Sequence, residues 1–236
     1  MKIELWSDYA CPYCYIGEKR LEKAIESLNE KDDIEVVFRA FELDPEASRE
    51  TTSTTKARIE KKYRISEEKA QDMIDNITEM AAAEGLEYNY GTTLYTNTFD
   101  AHRVTKYAQT KGKKEIIEKL FAAYFTDNLQ LSSHDLLIDI AEEAGLDREE
   151  VKRVLDSGEF SEEVRADERE AYLMGANAVP FFLINEKYTI AGAQSTELIK
   201  EALVKVLAEE RRNKLISIDN LEGMVCGIDG CHMSEE

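Results

Sequence analysis

Strand-like segments sit near the two ends of this chain, with a long helical pattern between them. Near the N-terminus, Ile3, Leu5 and Trp6 make a short apolar strand, and "IEVVFRAFEL" (34–43) makes a second, rich in β-branched and aromatic residues. The near-continuous apolar character of the second suits burial on both faces. Between them, Leu21, Ala24, Ile25 and Leu28 recur at i, i+3, i+4 and i+7, the spacing of a helix. Strand, helix and strand form a βαβ unit if the strands pair in parallel. From Thr55 to Gly175 the pattern is helical, without a proline. Strand character returns only at "VPFFLINEKYTIAG" (179–192), where Asn185 and Glu186 suit a tight hairpin turn. A helix starting at Ser195 carries Leu198, Ile199, Ala202, Leu203 and Val206. The middle reads as an all-helical block inserted into something else.

The helical stretch divides at its own punctuation. Ser66 caps a helix carrying Ala70, Met73, Ile74 and Ile77, which closes at Gly85. A polar, aromatic loop follows, "EYNYGTTLYTNTFD". Helices are then expected over 101–110, 115–129, 135–144, 149–156 and 162–174. Asp147 with Glu150 marks one start, and Gly112, Gly145 and Gly158 mark stops. The expected fold is therefore α/β, a thioredoxin-like layout. A large all-helical domain (55–174) interrupts a discontinuous domain (1–54 and 175–212) between its βαβ and ββα halves. A tail (213–236) follows.

Two cysteines stand at the start of the first helix, in "SDYACPYCYIG". Unpaired backbone N–H groups and the positive end of the helix dipole favour thiolate over thiol there. Thiolate is the form that attacks a disulfide. Pro12 suits the first helical turn, where its missing N–H costs nothing. Cys14, two residues beyond it, can reach back to a mixed disulfide on Cys11. That makes Cys11 the candidate nucleophile and Cys14 the resolving thiol. A zinc site would need further ligands, and Cys226, Cys231, His232, His102 and His134 are all distant in sequence. No metal is expected. Pro180 suits the first position of a strand.

Composition bounds the partners. The 236 residues carry 30 Lys and Arg against 49 Asp and Glu, a net charge of −19. Such a chain repels phosphate backbones and anionic bilayers, so neither nucleic acid nor membrane is an expected partner. "MKIELW" runs straight into a strand rather than a leader, which points to the cytoplasm. In that reducing compartment cysteine pairs are more often catalytic or metal-binding than structural.

"SDYACPYCYIG", "FRAFELDPEAS", "NTFDAHR" and "GANAVPFFLIN", in this order, resemble the DsbA-like branch of the thioredoxin superfamily, and within it the cytosolic FrnE-like oxidoreductases. The resemblance covers roughly the first 210 residues, by the elements above. It implies a thioredoxin fold with a helical insertion and thiol–disulfide exchange or isomerisation through Cys11 and Cys14. It implies a cis Val179–Pro180 bond beside the pair. Val179, Pro180, Pro12 and Tyr13 would then border the substrate. It implies no organic cofactor, only a thiol pool such as glutathione or bacillithiol, and peptide or small-molecule disulfides as partners. Asn97, His102 and Arg103 fall in "NTFDAHR" and are read as structural. Periplasmic relatives often have histidine between the cysteines. Tyr13 supplies no charge, so the couple is expected nearer ~−200 to −230 mV than ~−120 mV. Phe181 is expected at the cleft edge, narrowing it.

Cys226 and Cys231, with Gly227 and Gly230 between them, are a candidate second redox pair, since glycines permit the turn that brings two sulfurs together. Two other functions fit the same chain: a glutathione-dependent isomerase or transferase of related fold, and a redox-responsive adaptor without catalysis.

Overall fold

The computed structural model describes residues 1–50, 53–214, 224–227 and 230–233. Strand β1 (Lys2–Ser7) leads into helix α1 (Pro12–Glu26) and strand β2 (Glu35–Ala40). Seven helices follow: α2 (Thr55–Tyr63), α3 (Glu67–Ala83), α4 (Phe99–Thr110), α5 (Glu115–Phe125), α6 (His134–Glu143), α7 (Arg148–Asp156) and α8 (Ser161–Leu173). The chain then returns through β3 (Phe181–Ile184), β4 (Tyr188–Ala191) and α9 (Thr196–Lys214), and β5 (Met224–Gly227) pairs with β6 (Gly230–Met233). The main sheet runs β2-β1-β3-β4. β1 and β2 are parallel, and β3 is antiparallel to both its neighbours. The fold is α/β, with a mixed four-stranded sheet and a long run of helices between β2 and β3.

Side chains alternate across the sheet, as strand geometry requires. Ile3, Leu5, Phe182 and Ile184 pack with Leu21 and Ala24 of α1 and with Ile199 and Leu203 of α9. Trp6, Phe181 and Leu183 point the other way, into a larger cluster with α3 to α8 that also holds Cys11 and Cys14. Helix α8 is tied to the sheet by Asp167, which is 2 % exposed. Its carboxylate accepts from Arg39 (3.0 Å), from the Ala40 N–H (2.7 Å) and from Lys106, and its carbonyl accepts from Trp6 Nε1 (2.8 Å).

Local chemistry sets the ends of the elements. The hydroxyls of Ser66 and Ser195 and the carboxylate of Asp147 accept from Lys69, Leu198 and Glu150 N–H groups at helix starts. Asn185 and Glu186 both take positive φ, 50° and 54°, and turn β3 into β4. Asn185 is held there by accepting the Lys2 N–H at 2.9 Å and donating to Glu210 at 2.7 Å. One reading of the pattern needs correction: β2 is an edge strand, with Glu35 exposed and Val36 and Val37 half-buried. Val36 packs with the α1 and α9 side of the sheet, whereas Phe38 stacks on Tyr9 in the larger cluster. The helix expected over 115–129 stops at Phe125, and Asn128 takes a left-handed φ of 56°. Helix α2 and the β5–β6 pair are further elements beyond those the pattern singles out.

Candidate active site

Cys11 is the N-cap of α1 and Pro12 its first helical residue. The loop before them is fastened by Asp8, which is 1 % exposed. Its carbonyl accepts the Cys11 N–H at 3.0 Å, and its Oδ1 accepts the Ala10 N–H at 3.1 Å and the Thr98 hydroxyl at 2.8 Å. Oδ2 accepts the Leu43 N–H at 2.7 Å. One carboxylate thus joins the cysteine loop to the segment leaving β2 and to the start of α4. From the other side, the Tyr88 hydroxyl donates to the Pro12 carbonyl at 2.8 Å.

The two sulfurs differ in environment. Cys11 is 4 % exposed and Cys14 fully buried. Burial pushes the Cys14 thiol well above its ordinary range, and the neighbouring Cys11 sulfur pushes the same way, against weaker help from Ser7 and the Asp8 backbone. Cys14 is therefore held as the neutral thiol. The Cys11 thiol donates to the Val179 carbonyl at 3.5 Å, and the Val179–Pro180 peptide is cis. Gly17, one turn into α1, lets this loop close on the helix: a Cβ there would stand 2.9 Å from Pro180 Cγ.

Cys11, Cys14, Pro12, Val179 and Pro180 are thus brought together in buried surroundings, with Tyr13 the exposed member at 42 %. Phe181 is buried edge-on against Trp6, ring centroids 5.9 Å apart, because it is on the sheet face turned to the helical cluster. Of the "NTFDAHR" residues, Asn97 donates to the Pro45 carbonyl at 3.3 Å, and His102 lies against Tyr9 (4.9 Å between ring centroids) with Nε2 3.7 Å from Asp8. Arg103 caps the far end of α7. Of the three, His102 lies against the loop that carries Cys11. His134 bonds Asp100 at 2.9 Å. Among the described residues no cluster of three or more metal-ligating side chains occurs. Cys226 and Cys231 are opposed in the β5–β6 register.

Sequence reasoning passed over Asp8, Gly17 and the tyrosines. The signal for the last was present: a loop with tyrosines at 88, 90 and 95. The hydroxyls of Tyr13, Tyr88 and Tyr90 are all held above the ordinary phenol range, by burial first and by the Cys11 sulfur second. Tyr88, bonded to the Pro12 carbonyl, also lies against Tyr90, ring centroids 6.5 Å apart.

Residues 2–204 match the model of the DSBA-like thioredoxin domain. A probable DsbA oxidoreductase from Streptomyces coelicolor superposes with a TM-score of 0.85, at 37 % identity over 100 % of both chains. YwbO, an uncharacterized protein of Bacillus subtilis (strain 168), is 28 % identical over 217 residues, 90 % of this chain and 98 % of its own. The cytosolic disulfide reductase DsbM of Pseudomonas aeruginosa, solved with GSH, shares the fold at 11 % identity and a TM-score of 0.57, over 91 % of this chain and 100 % of its own. With the pair at the head of α1 and the matched span running from β1 into α9, the chain belongs to the DSBA-like thioredoxin domain family.

Proposed function

We propose that the protein is a thiol–disulfide oxidoreductase in which Cys11 attacks and Cys14 resolves. The observation that carries this reading is the asymmetry of the pair. Cys11 caps a helix beside the Val179 carbonyl, whereas Cys14 is sealed beneath it as a thiol. The Cys11 sulfur displaces one thiolate from a disulfide and forms a mixed disulfide. Cys14 then gives up its proton and attacks Cys11, releasing the second thiolate and leaving a Cys11–Cys14 disulfide. Two electrons pass from the dithiol to the substrate, and the reverse sequence oxidises a substrate dithiol. Pro12, Tyr13, Val179 and Pro180 border the substrate. The chemistry needs no metal or organic cofactor. A low-molecular-weight thiol pool of the cytoplasm supplies or takes the electrons.

Cys226 and Cys231 serve as a second pair. Directly opposed residues of an antiparallel ladder have Cα atoms about 4.5–5.5 Å apart, within the span a disulfide bridges. Unchanged turnover of a Cys231→Ser variant on every disulfide tried would remove this second role.

The test is a thiol-trapping titration in glutathione buffers, with mass mapping of each cysteine. Cys11 and Cys14 are expected to titrate together as a two-electron couple. If both stay reduced at every accessible poise, disulfide exchange is not the function.

A further inference from the structure

Strand β2 is closed along part of its outer edge and open along the rest. The Glu35 N–H reaches the Met1 carbonyl at 2.9 Å, so Glu35, Val37 and Arg39 turn their backbone groups to β1, and Val36, Phe38 and Ala40 turn theirs outward. Side chains cap the far end of that row. Gln109 donates to the Phe38 carbonyl at 2.8 Å, and Asp167 accepts the Ala40 N–H at 2.7 Å. The Val36 N–H and carbonyl and the Phe38 N–H have no partner among the described residues. Backbone groups left open on a sheet edge are a template for another strand.

The open stretch is one wall of a groove of about 680 Å³ between α1 and α5. Clefts that hold ligands are roughly 300–1,000 Å³. Leu21, Ile25 and Ile117 give this one apolar walls, and Glu18, Glu22, Glu26, Glu35, Glu115 and Glu118 line it against a single cation among the described residues, Lys114. Lys19, outside the groove, is committed to Glu22 at 2.9 Å and Glu118 at 2.7 Å. Glu18 has no such relief: its Oε2 is buried without a hydrogen-bond partner among the described residues. An unmet buried carboxylate oxygen is costly, and a donor bearing positive charge answers it best.

We propose that this groove takes an extended basic peptide segment, which pairs with Val36 as an added strand and sets a lysine or arginine side chain on Glu18. Strand addition uses the open backbone groups for affinity and the flanking walls for selection. The surplus of carboxylates selects a basic segment over an acidic one. Burial and the charges of Glu22 and Glu118 raise the Glu18 carboxyl to about 8, with Lys19 opposing. An arriving cation reverses that rise, and the proton leaves for solvent as the ion pair forms. The inference stands apart from the chemistry of Cys11 and Cys14.

The test is a calorimetric titration of the full-length reduced protein at pH 7 with three blocked, cysteine-free pentapeptides. One alternates valine and lysine, the second has norleucine for lysine, and the third is the lysine peptide N-methylated at every residue. The lysine peptide is expected to bind more tightly than the norleucine one. In Glu18→Gln the ratio of those affinities falls about tenfold, the worth of one hydrogen bond to a charged group. N-methylation abolishes binding, and bound lysine peptide slows exchange of the Val36 and Phe38 amide hydrogens. That last measurement needs no variant, so it decides even if Glu18→Gln fails to fold. No binding of the lysine peptide overturns the proposal. An unchanged ratio in Glu18→Gln also overturns it, since the carboxylates then act only as diffuse charge. Undiminished binding of the N-methylated peptide, or unaltered exchange at Val36 and Phe38, overturns it by removing the strand pairing.

Discussion

Gly17 is the residue on which the geometry of the site turns. With no side chain it allows α1 and the Pro180 loop to touch, and an added Cβ would meet a buried proline ring 2.9 Å away, with Ala193 and Phe182 behind at 3.5 Å. Neither neighbour is a flexible chain end. Gly17→Ala is expected to cost about 1–3 kcal/mol of stability, the usual price of overpacking, and to slow exchange by moving the Val179 carbonyl off Cys11. Urea unfolding midpoints and dithiol oxidation rates, taken together, check both parts. The cysteines differ in a directly readable way. Cys14 is fully buried and held as a thiol, so iodoacetamide at neutral pH is expected to label Cys11 first and spare Cys14 until the chain is unfolded. Peptide mass mapping shows which sulfur carries the label.

Helix α1 carries the cysteines on its first turn and a buried acid on its second. Glu18 Oε2 is buried with no hydrogen-bond partner among the described residues, on the wall of a groove of about 680 Å³ that also receives Glu22, Glu115 and Glu118. Burial raises the Glu18 carboxyl from 4.5 to about 8, and the Glu22 charge adds to it. The folded state then holds a proton that the unfolded state has lost between these values. Stability on this account is full below about 4.5 and declines as pH rises through about 8. Glu18→Gln is expected to flatten that decline, as urea midpoints at pH 5, 7 and 9 will show. At the other end of the helical block, Arg103 on α4 gathers the end of α7. It donates to the Val154 and Ser157 carbonyls, to the Glu159 carbonyl at 2.8 Å and to Asp100 at 2.8 Å. Arg103→Ala removes these bonds while Val154 keeps the Ser157 donors and Asp100 keeps Arg49 and His134, so the expected cost is about 1–3 kcal/mol in the same assay. Elements of this kind were legible in the sequence where the chemistry is local. Ser66, Asp147 and Asn185 announce their caps and turn within a few residues. The edge position of β2 was not, because an apolar run of that length looks alike in an edge and a central strand. Nor were the functions of Asp8, Gly17 and Tyr88, whose partners lie far along the chain. The tyrosine-rich loop showed a cluster without showing what it faces.

Across the whole molecule, one buried cluster runs from Trp6 and Phe181 of the sheet through α3 to α8 and takes in both sulfurs. The helical excursion therefore does more than decorate the sheet, since Tyr88 and Thr98 reach from it to hold the loop around Cys11. The order of strands and helices made this arrangement readable. The burial of the cysteine pair within the shared core was not readable, because it depends on which helix faces the sheet. That burial couples electron count to folding. When a dithiol in the interior becomes a disulfide, the same cluster must accept two fewer protons and a new bond, and the melting point shifts by whatever the cluster prefers. The preference is also a voltage: a stability gap of about 1.4 kcal/mol between the two forms corresponds to about 30 mV relative to the same pair in the unfolded chain. A pair of melting curves, one reduced and one oxidised, thus serves as a voltmeter for this protein.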